Sequence, residues 1–202
     1  MPYSRRLAGR SEPDLPAMAA WHHRGARSGF EVVFVRRAGG RHQLDGYSTA
    51  VQEGEAWGIR YALTLDDGWL TRSAQVVGQS VSAVQEVRLE TDGSGVWQVD
   101  GAAAPQLNGC LDVDLEASAC TNAIPVNRLG LGVGEAANAP AVFVHAPILR
   151  VERLEQTYVR LPNDAERMRY DYAAPAFDFE TVLACDRFGF VLDYPGVAIR
   201  VA

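Results

Sequence analysis

Two aspartates stand two residues apart in GCLDVDLEASACTNAIPVNRL, the stretch from Gly109 to Leu129, and Thr121, Asn122 and Arg128 follow within it. On a β-strand, Asp112 and Asp114 share one face with Cβ atoms ~7 Å apart, while Leu111, Val113 and Leu115 share the other. Carboxyls on one face at that separation come within reach of the acid and base pair of a glycosidase. The same two acids also suit the polar end of a ligand, and alternating acids are commonest on a solvated strand face. An arginine fork grips a carboxylate through two parallel hydrogen bonds, so Arg72 or Arg128 facing these aspartates across neighbouring strands is the expected companion. A second polar set threads RYALTLDDGWLTRS, with Arg60, Asp66, Trp69 and Arg72. A third set is aromatic, Trp57, Trp69, Trp97, Tyr158, Tyr170 and Tyr172, with Gln156 and Arg160 nearby. Such rings stack on sugar faces or line acyl pockets, and they equally fill β-rich cores.

Other chemistries find little to work with. There is no G-x-S-x-G elbow, and His22, His23, His42 and His145 show no metal-ligand spacing beyond the adjacent pair, whose side chains face opposite ways on a strand. All 19 basic residues are arginine, which removes Schiff-base lysine chemistry and the phosphate-loop lysine. TDGSGVW lacks the helix and lysine that a phosphate loop needs and reads as a hairpin turn. The formal charge of -6 argues against nucleic acid as a partner, and the excess of arginine over acid in residues 1 to 41 reads as a solvated basic tail. Cys110, Cys120 and Cys185 are odd in number and lack a C-x-x-C pattern, so they predict neither a disulfide framework nor zinc, but small buried hydrophobes in a reducing compartment. No cofactor and no metal are expected. The first residues lack the apolar core of a signal sequence, and no run approaches the ~20 apolar residues of a membrane span. A cytoplasmic protein without stable membrane insertion is the expectation.

The elements that must position these residues are strands. Short runs rich in β-branched and aromatic residues, such as GFEVVFVRR, WGIRYALTL, VQEVRLE and EQTYVRL, alternate with turn signals about every ten residues. Alternation puts Ile59, Tyr61, Leu63 and Leu65 on one face of their strand and Arg60, Ala62, Thr64 and Asp66 on the other. It also aligns Phe177, Phe179, Thr181 and Leu183, and again Phe188, Phe190, Leu192 and Tyr194. SVSAVQEV and LPNDAERM each offer a short helix. The expected fold is all-β: a strongly curled antiparallel sheet of more than ten short strands, a spiral β-roll or open barrel, with at most one or two short helices. Residues 1–19 form a poorly ordered extension and 20–202 a single domain. A curled sheet of that size encloses a cavity.

Read in order, RYALTLDDGWLTRS, GVWQVDG, LNGCLDVDL, TNAIPVNRL, EQTYVRL, MRYDY and DRFGFVLDYP resemble a bacterial glycolipid-binding family first catalogued as a domain of unknown function. The resemblance covers roughly residues 20 to 200 and is most specific from GCLDVDL through TNAIPVNRL. It implies the spiral β-roll of periplasmic lipoprotein carriers, and it places the family's polar positions on Arg60, Tyr61, Asp66, Trp69, Arg72, Trp97, Asp112, Asp114, Thr121, Asn122, Arg128, Gln156, Tyr158, Tyr170 and Tyr172. The chain departs from the family pattern at SACTN (Ser118 to Asn122), where TPFTN is common, and at Asn127, where a second arginine is common.

The function these readings favour is non-catalytic binding of a glycolipid or other acyl-chain ligand, with the chains in the roll and the polar head near Asp112, Asp114 and Arg128. Two alternatives stand beside it. One is a hydrolase acting on a sugar or lipid head group through Asp112 and Asp114; the other is an interaction scaffold with a filled interior.

Overall fold

The computed structural model describes residues 15–202. Most of the extension expected over 1–19 lies outside the described residues, and β1 (Met18–His23) begins at Met18. The chain continues through β2 (Ser28–Ala38), β3 (Arg41–Gln52), β4 (Glu55–Asp66), β5 (Thr71–Ser80), β6 (Val84–Thr91), β7 (Trp97–Val99), β8 (Ala102–Ala103) and β9 (Asp112–Leu115). The helix α1 (Ala123–Leu129) follows, then β10 (Ala136–Asn138), β11 (Ala141–Val144), β12 (Val151–Leu154), β13 (Thr157–Asp164), β14 (Arg167–Ala174), β15 (Phe179–Cys185), β16 (Val191–Tyr194) and β17 (Ala198–Arg200).

Fourteen strands form one antiparallel sheet in the order β10-β13-β14-β15-β16-β17-β1-β2-β3-β4-β5-β6-β7-β8. Its edges, β10 and β8, do not pair, so hydrogen bonding leaves the sheet open. The alternation read from the sequence is the alternation of burial in the long strands. In β4, Trp57, Ile59, Tyr61, Leu63 and Leu65 are buried and Arg60 and Ala62 are exposed. Gly46 of β3 lies opposite Tyr61, and a Cβ there would come within 1.9 Å of the phenol ring, so only glycine leaves the ring its place. Later strands follow the pattern less fully. Leu183 is buried while Phe177 is exposed in a 3-10 turn, and Phe188 and Phe190 lie in the turn before β16, whose buried residue is Val191.

A second sheet of three strands has the order β12-β11-β9, and its β9–β11 pair is parallel, an exception to the expected antiparallel pairing. Its two faces meet different parts of the large sheet. Val113, Leu115, Val142 and Val144 join a core with Val33, Leu44, Ile59, Leu63 and Leu89. Phe143 and Leu154 join another with Tyr158, Tyr170, Tyr172 and Leu183. Trp97 donates from Nε1 to the Cys110 carbonyl (2.8 Å), which fixes the chain as it enters β9.

The expected helices are placed elsewhere. SVSAVQEV spans the β5–β6 hairpin and LPNDAERM the β13–β14 hairpin, where Ala165 takes a positive φ of 52°. The apolar spacing of Val81, Val84 and Val87 mimicked a helical face, yet Val81 and Val84 are exposed. The helix forms instead at AIPVNRL, after a 3-10 turn at Cys120–Asn122, and ends at Gly130 in the left-handed region (φ 55°).

Candidate functional site

The small sheet sorts its residues by register. Asp112 pairs with Ala141, which pairs with Leu154, and Asp114 pairs with Phe143, which pairs with Glu152. Neighbours across a ladder share a face, so the two aspartates lie with Phe143 and Leu154, opposite Val113 and Leu115.

The two carboxylates then meet different partners. Asp112 is buried and receives Arg128 through both oxygens, Nε to Oδ1 at 2.7 Å and Nη2 to Oδ2 at 2.6 Å. Burial pushes the Asp112 carboxyl up from its usual range, and the guanidinium opposes that rise. Asp114 has no cation partner among the described residues. Its Oδ1 accepts from Thr121 Oγ1 at 2.9 Å and its Oδ2 from Gln156 Nε2. Burial pushes its carboxyl up to about 6, against the two neutral donors. Arg128 reaches Asp112 from a helix, and Arg72 pairs with Asp66, so neither arginine faces the aspartates across neighbouring strands as expected.

The remaining predicted residues fall into three places. Asn122 accepts from the Tyr158 hydroxyl at 2.9 Å, and the Tyr158 ring meets Tyr170 and Tyr172; Tyr170 in turn lies under the Arg160 guanidinium. Thus Asp112, Asp114, Thr121, Asn122, Arg128, Gln156, Tyr158 and Tyr170 gather around the small sheet and α1. Asp66, Trp69 and Arg72 form a separate brace at the β4–β5 turn. There Asp66 accepts from Gly68 N, Leu70 N and Arg72, and Trp69 stacks on His42. Arg60 stands on the outward face of β4 beside Tyr47 and Val77.

A cleft of about 380 Å³ opens between the Asp114 face of the small sheet and the β14–β17 region. Phe143, Leu154, Tyr172, Phe177, Phe179 and Tyr194 form its walls, and Asp114, Asn122, Ser118, Glu116 and His145 supply polar atoms. At the mouth, His145 lies 2.7 Å from Glu152 and 3.4 Å from Glu116, while Arg27 and Arg150 approach Glu116 and Glu152 at 3.7 and 3.2 Å. Two larger depressions, about 640 and 610 Å³, lie at hairpin ends around Trp57 and Arg187, and both are more open to solvent than the cleft. Among the described residues no group of three His, Cys, Asp or Glu side chains could hold a metal ion, and no helix is long and apolar enough to cross a membrane.

Sequence reasoning missed one group behind the cleft wall. Glu31 is fully buried and accepts from the Tyr61 hydroxyl at 2.6 Å, the Ala119 amide at 2.7 Å and Ser118 Oγ. Burial raises its pKa against these donors, and burial lowers that of His23, 4.0 Å away, to about 4. The network ties the turn carrying Thr121 and Asn122 to β2 and β4. The signal was present, because Glu31 shares the alternation phase of Val33 and Val35, which points inward. Phe143, Phe177, Phe179 and Tyr194 were missed as a cleft because they converge from four separate segments. Asn127, at the second departure from the family pattern, donates to the carbonyls of Ala123 and Phe188 and so ties α1 to the turn before β16.

Residues 18–200 match the family described as "Putative glycolipid-binding". Among solved structures, the crystal structure of a DUF1089 family protein from Pseudomonas aeruginosa is similar at 28% identity and a TM-score of 0.71, over 98% of this chain and 100% of that one. A beta-barrel-like protein of a domain of unknown function, DUF1849, from Brucella abortus aligns at 12% identity and a TM-score of 0.48, over 91% and 92%. No curated protein matches.

Proposed function

The chain belongs to the glycolipid-binding family, and from that premise we propose that its cleft holds one end of an amphipathic, glycolipid-like molecule without transforming it. The observation that carries this reading is the convergence of aromatic walls with Asp114, Asn122 and Ser118 at one accessible place. Ring faces take the apolar face of a sugar or a stretch of chain, and the polar atoms orient it. A volume of about 380 Å³ is near the small end of ligand pockets, which run from ~300 to ~1,000 Å³. It suits one ring or a few methylenes at ~0.8 kcal/mol each rather than a whole lipid.

Residues 20–202 act in this reading as one domain, with β17 pairing with β1. Residues of the large sheet's β2–β6 stretch cluster with one face of the small sheet and residues of its β13–β15 stretch with the other, so the small sheet packs between two parts of the large one. In this reading that packing favours the cleft over the inside of the roll as the place where the ligand sits. A binder is favoured over a hydrolase that uses Asp112 and Asp114 as its acid and base, because Arg128 occupies both oxygens of Asp112 and leaves Asp114 as the one member of that pair facing the cleft.

The test is a titration of isotope-labelled protein with octyl glucoside below its micelle concentration, followed by NMR. Shifts are expected at Phe143, Tyr172, Phe179 and Tyr194, and Phe143→Ala should weaken binding at least tenfold. Shifts confined to the outward face around Tyr47 and Arg60, or no saturable shifts, would refute the reading.

A further inference from the structure

We propose that the group this cleft selects is a cation: the ammonium head, primary or quaternary, of an amphipathic ligand, seated against Asp114 and the rings of Phe143, Tyr172, Phe179 and Tyr194. The proposal rests on the cleft being a ligand site and names the chemistry of what enters it.

The first support is charge. The acids that face the cleft and its mouth are Asp114, Glu116 and Glu152; the arginines are Arg27 and Arg150. Glu116 has Arg27, Glu152 has Arg150, and His145 lies between the two glutamates. Asp112, one strand step from Asp114, is cancelled by Arg128. The cleft carboxylate with no ion-pair partner among the described residues is therefore Asp114: Thr121 and Gln156 hold it through neutral groups, and Arg27 acts on it only from beyond contact distance. Of the arginines among the described residues, one pairs with Asp112 and none with Asp114. An anion against an apolar cleft is costly until a counter-charge arrives, and an incoming cation supplies it.

The second support is the arrangement of the rings. Tyr172, Phe179 and Tyr194 are mutual neighbours with centroids 5.9 to 6.2 Å apart and planes inclined by 61 to 84°, so their faces and edges point in different directions. Phe143 adds a fourth ring on the strand beside Asp114. Ring faces attract ammonium groups within ~6 Å, most strongly when water is displaced, and several inclined rings beside an anion are the recognised means of holding a quaternary ammonium. A neutral sugar would also stack there, but its hydroxyls bond to an amide as well as to a carboxylate. The charge of Asp114 therefore separates the two ligand classes.

Three probes with one chain and different heads decide the matter: octyltrimethylammonium, octyl glucoside and octanoate. Each is titrated below its micelle concentration at pH 7.5 into the full-length protein and into Asp114→Asn, with melting temperatures recorded for both. The ammonium is expected to bind at least tenfold tighter than the other two. Asp114→Asn should remove that advantage, bringing the ammonium to within threefold of octyl glucoside on the same variant. Equal binding of all three, or an ammonium preference that survives Asp114→Asn, overturns the cation proposal and leaves the amphiphile-binding reading standing. Saturable binding of none overturns both. The ranking on the unmodified protein decides even if the variant does not fold.

Discussion

Asp112→Asn and Asp114→Asn make the same chemical change two residues apart and should move stability in opposite directions. Asp112→Asn leaves the Arg128 guanidinium, largely buried, facing a neutral amide. Breaking a buried pair from one side costs about 3 kcal/mol, at the lower end of the usual range. For a chain of this length ~1 kcal/mol moves Tm by ~2–4 °C, so a fall of about 6–12 °C is expected. Asp114 behaves differently because its carboxyl rises from 3.8 to about 6 in the folded chain. At ~1.4 kcal/mol per pH unit the ionised form costs the fold at most about 3 kcal/mol at neutral pH. Water reaching Asp114 through the cleft, together with the charge-assisted bonds lost from Thr121 and Gln156, reduces this to about 1 kcal/mol. The sign follows from the raised value. Below 3.8 both folded and unfolded chains carry the proton and the penalty is absent; it grows as pH rises to about 6 and is then constant. Asp114→Asn should therefore melt ~2–4 °C above the parent at pH 7.5 and level with it near pH 4 by differential scanning calorimetry. If Asp114→Asn instead loses as much stability as Asp112→Asn at both pH values, Asp114 is a structural brace and the partition of roles is wrong. If Asp112→Asn leaves Tm unchanged, the Arg128 clamp contributes nothing and Asp112 becomes available for acid chemistry.

Further outcomes at three positions follow from the geometry. Glu31→Ala leaves the Tyr61 hydroxyl, Ser118 Oγ and the Ala119 amide without their acceptor, and at ~1–3 kcal/mol per buried orphan it should cost at least ~3 kcal/mol by urea denaturation. Glu31→Gln, which keeps an acceptor, should cost about half as much. Gly46→Ala drives a Cβ into the Tyr61 ring and should cost ~2–3 kcal/mol by the same measurement. Asp66→Asn ends the pairing with the part-exposed Arg72, and should cost ~1 kcal/mol or less while octyl glucoside affinity stays unchanged.

The strands were legible because burial in the large sheet follows a period of two, as in Ile59 through Leu65, and because TDGSG marks the tight β6–β7 turn. The placement of Asp112 and Asp114 on one strand face opposite Val113 and Leu115 was legible for the same reason. The helix at AIPVNRL was not, because Ala123, Ile124, Pro125 and Val126 are all buried. A short segment covered on every side shows no amphipathic stripe, and Pro125 discourages a helical reading. The parallel β9–β11 pairing joins residues about thirty apart through no local signal. The cleft was hidden for a related reason: its walls come from β11, β14, β15, β16 and the turn before β15, and only the folded topology brings them together.

The course of α1 explains why two similar acids receive different partners. The chain leaves β9 at Leu115, turns through residues 116–120, and runs back along the strand as the 3-10 turn and α1. Thr121, at the start of this return, meets Asp114, and Arg128, near its end, meets Asp112. Seven residues of helical chain advance ~10 Å, and two strand residues advance ~7 Å, so the return path brings one side chain to each carboxylate. A strand needing only a brace is served by arginine at both positions, since each guanidinium cancels the charge it meets. Here the cation stands over the acid that is sealed from solvent, and a hydroxyl and an amide stand over the acid that opens to the aromatic cleft. That asymmetry stabilises the first acid in place and leaves the charge of the second available to a ligand.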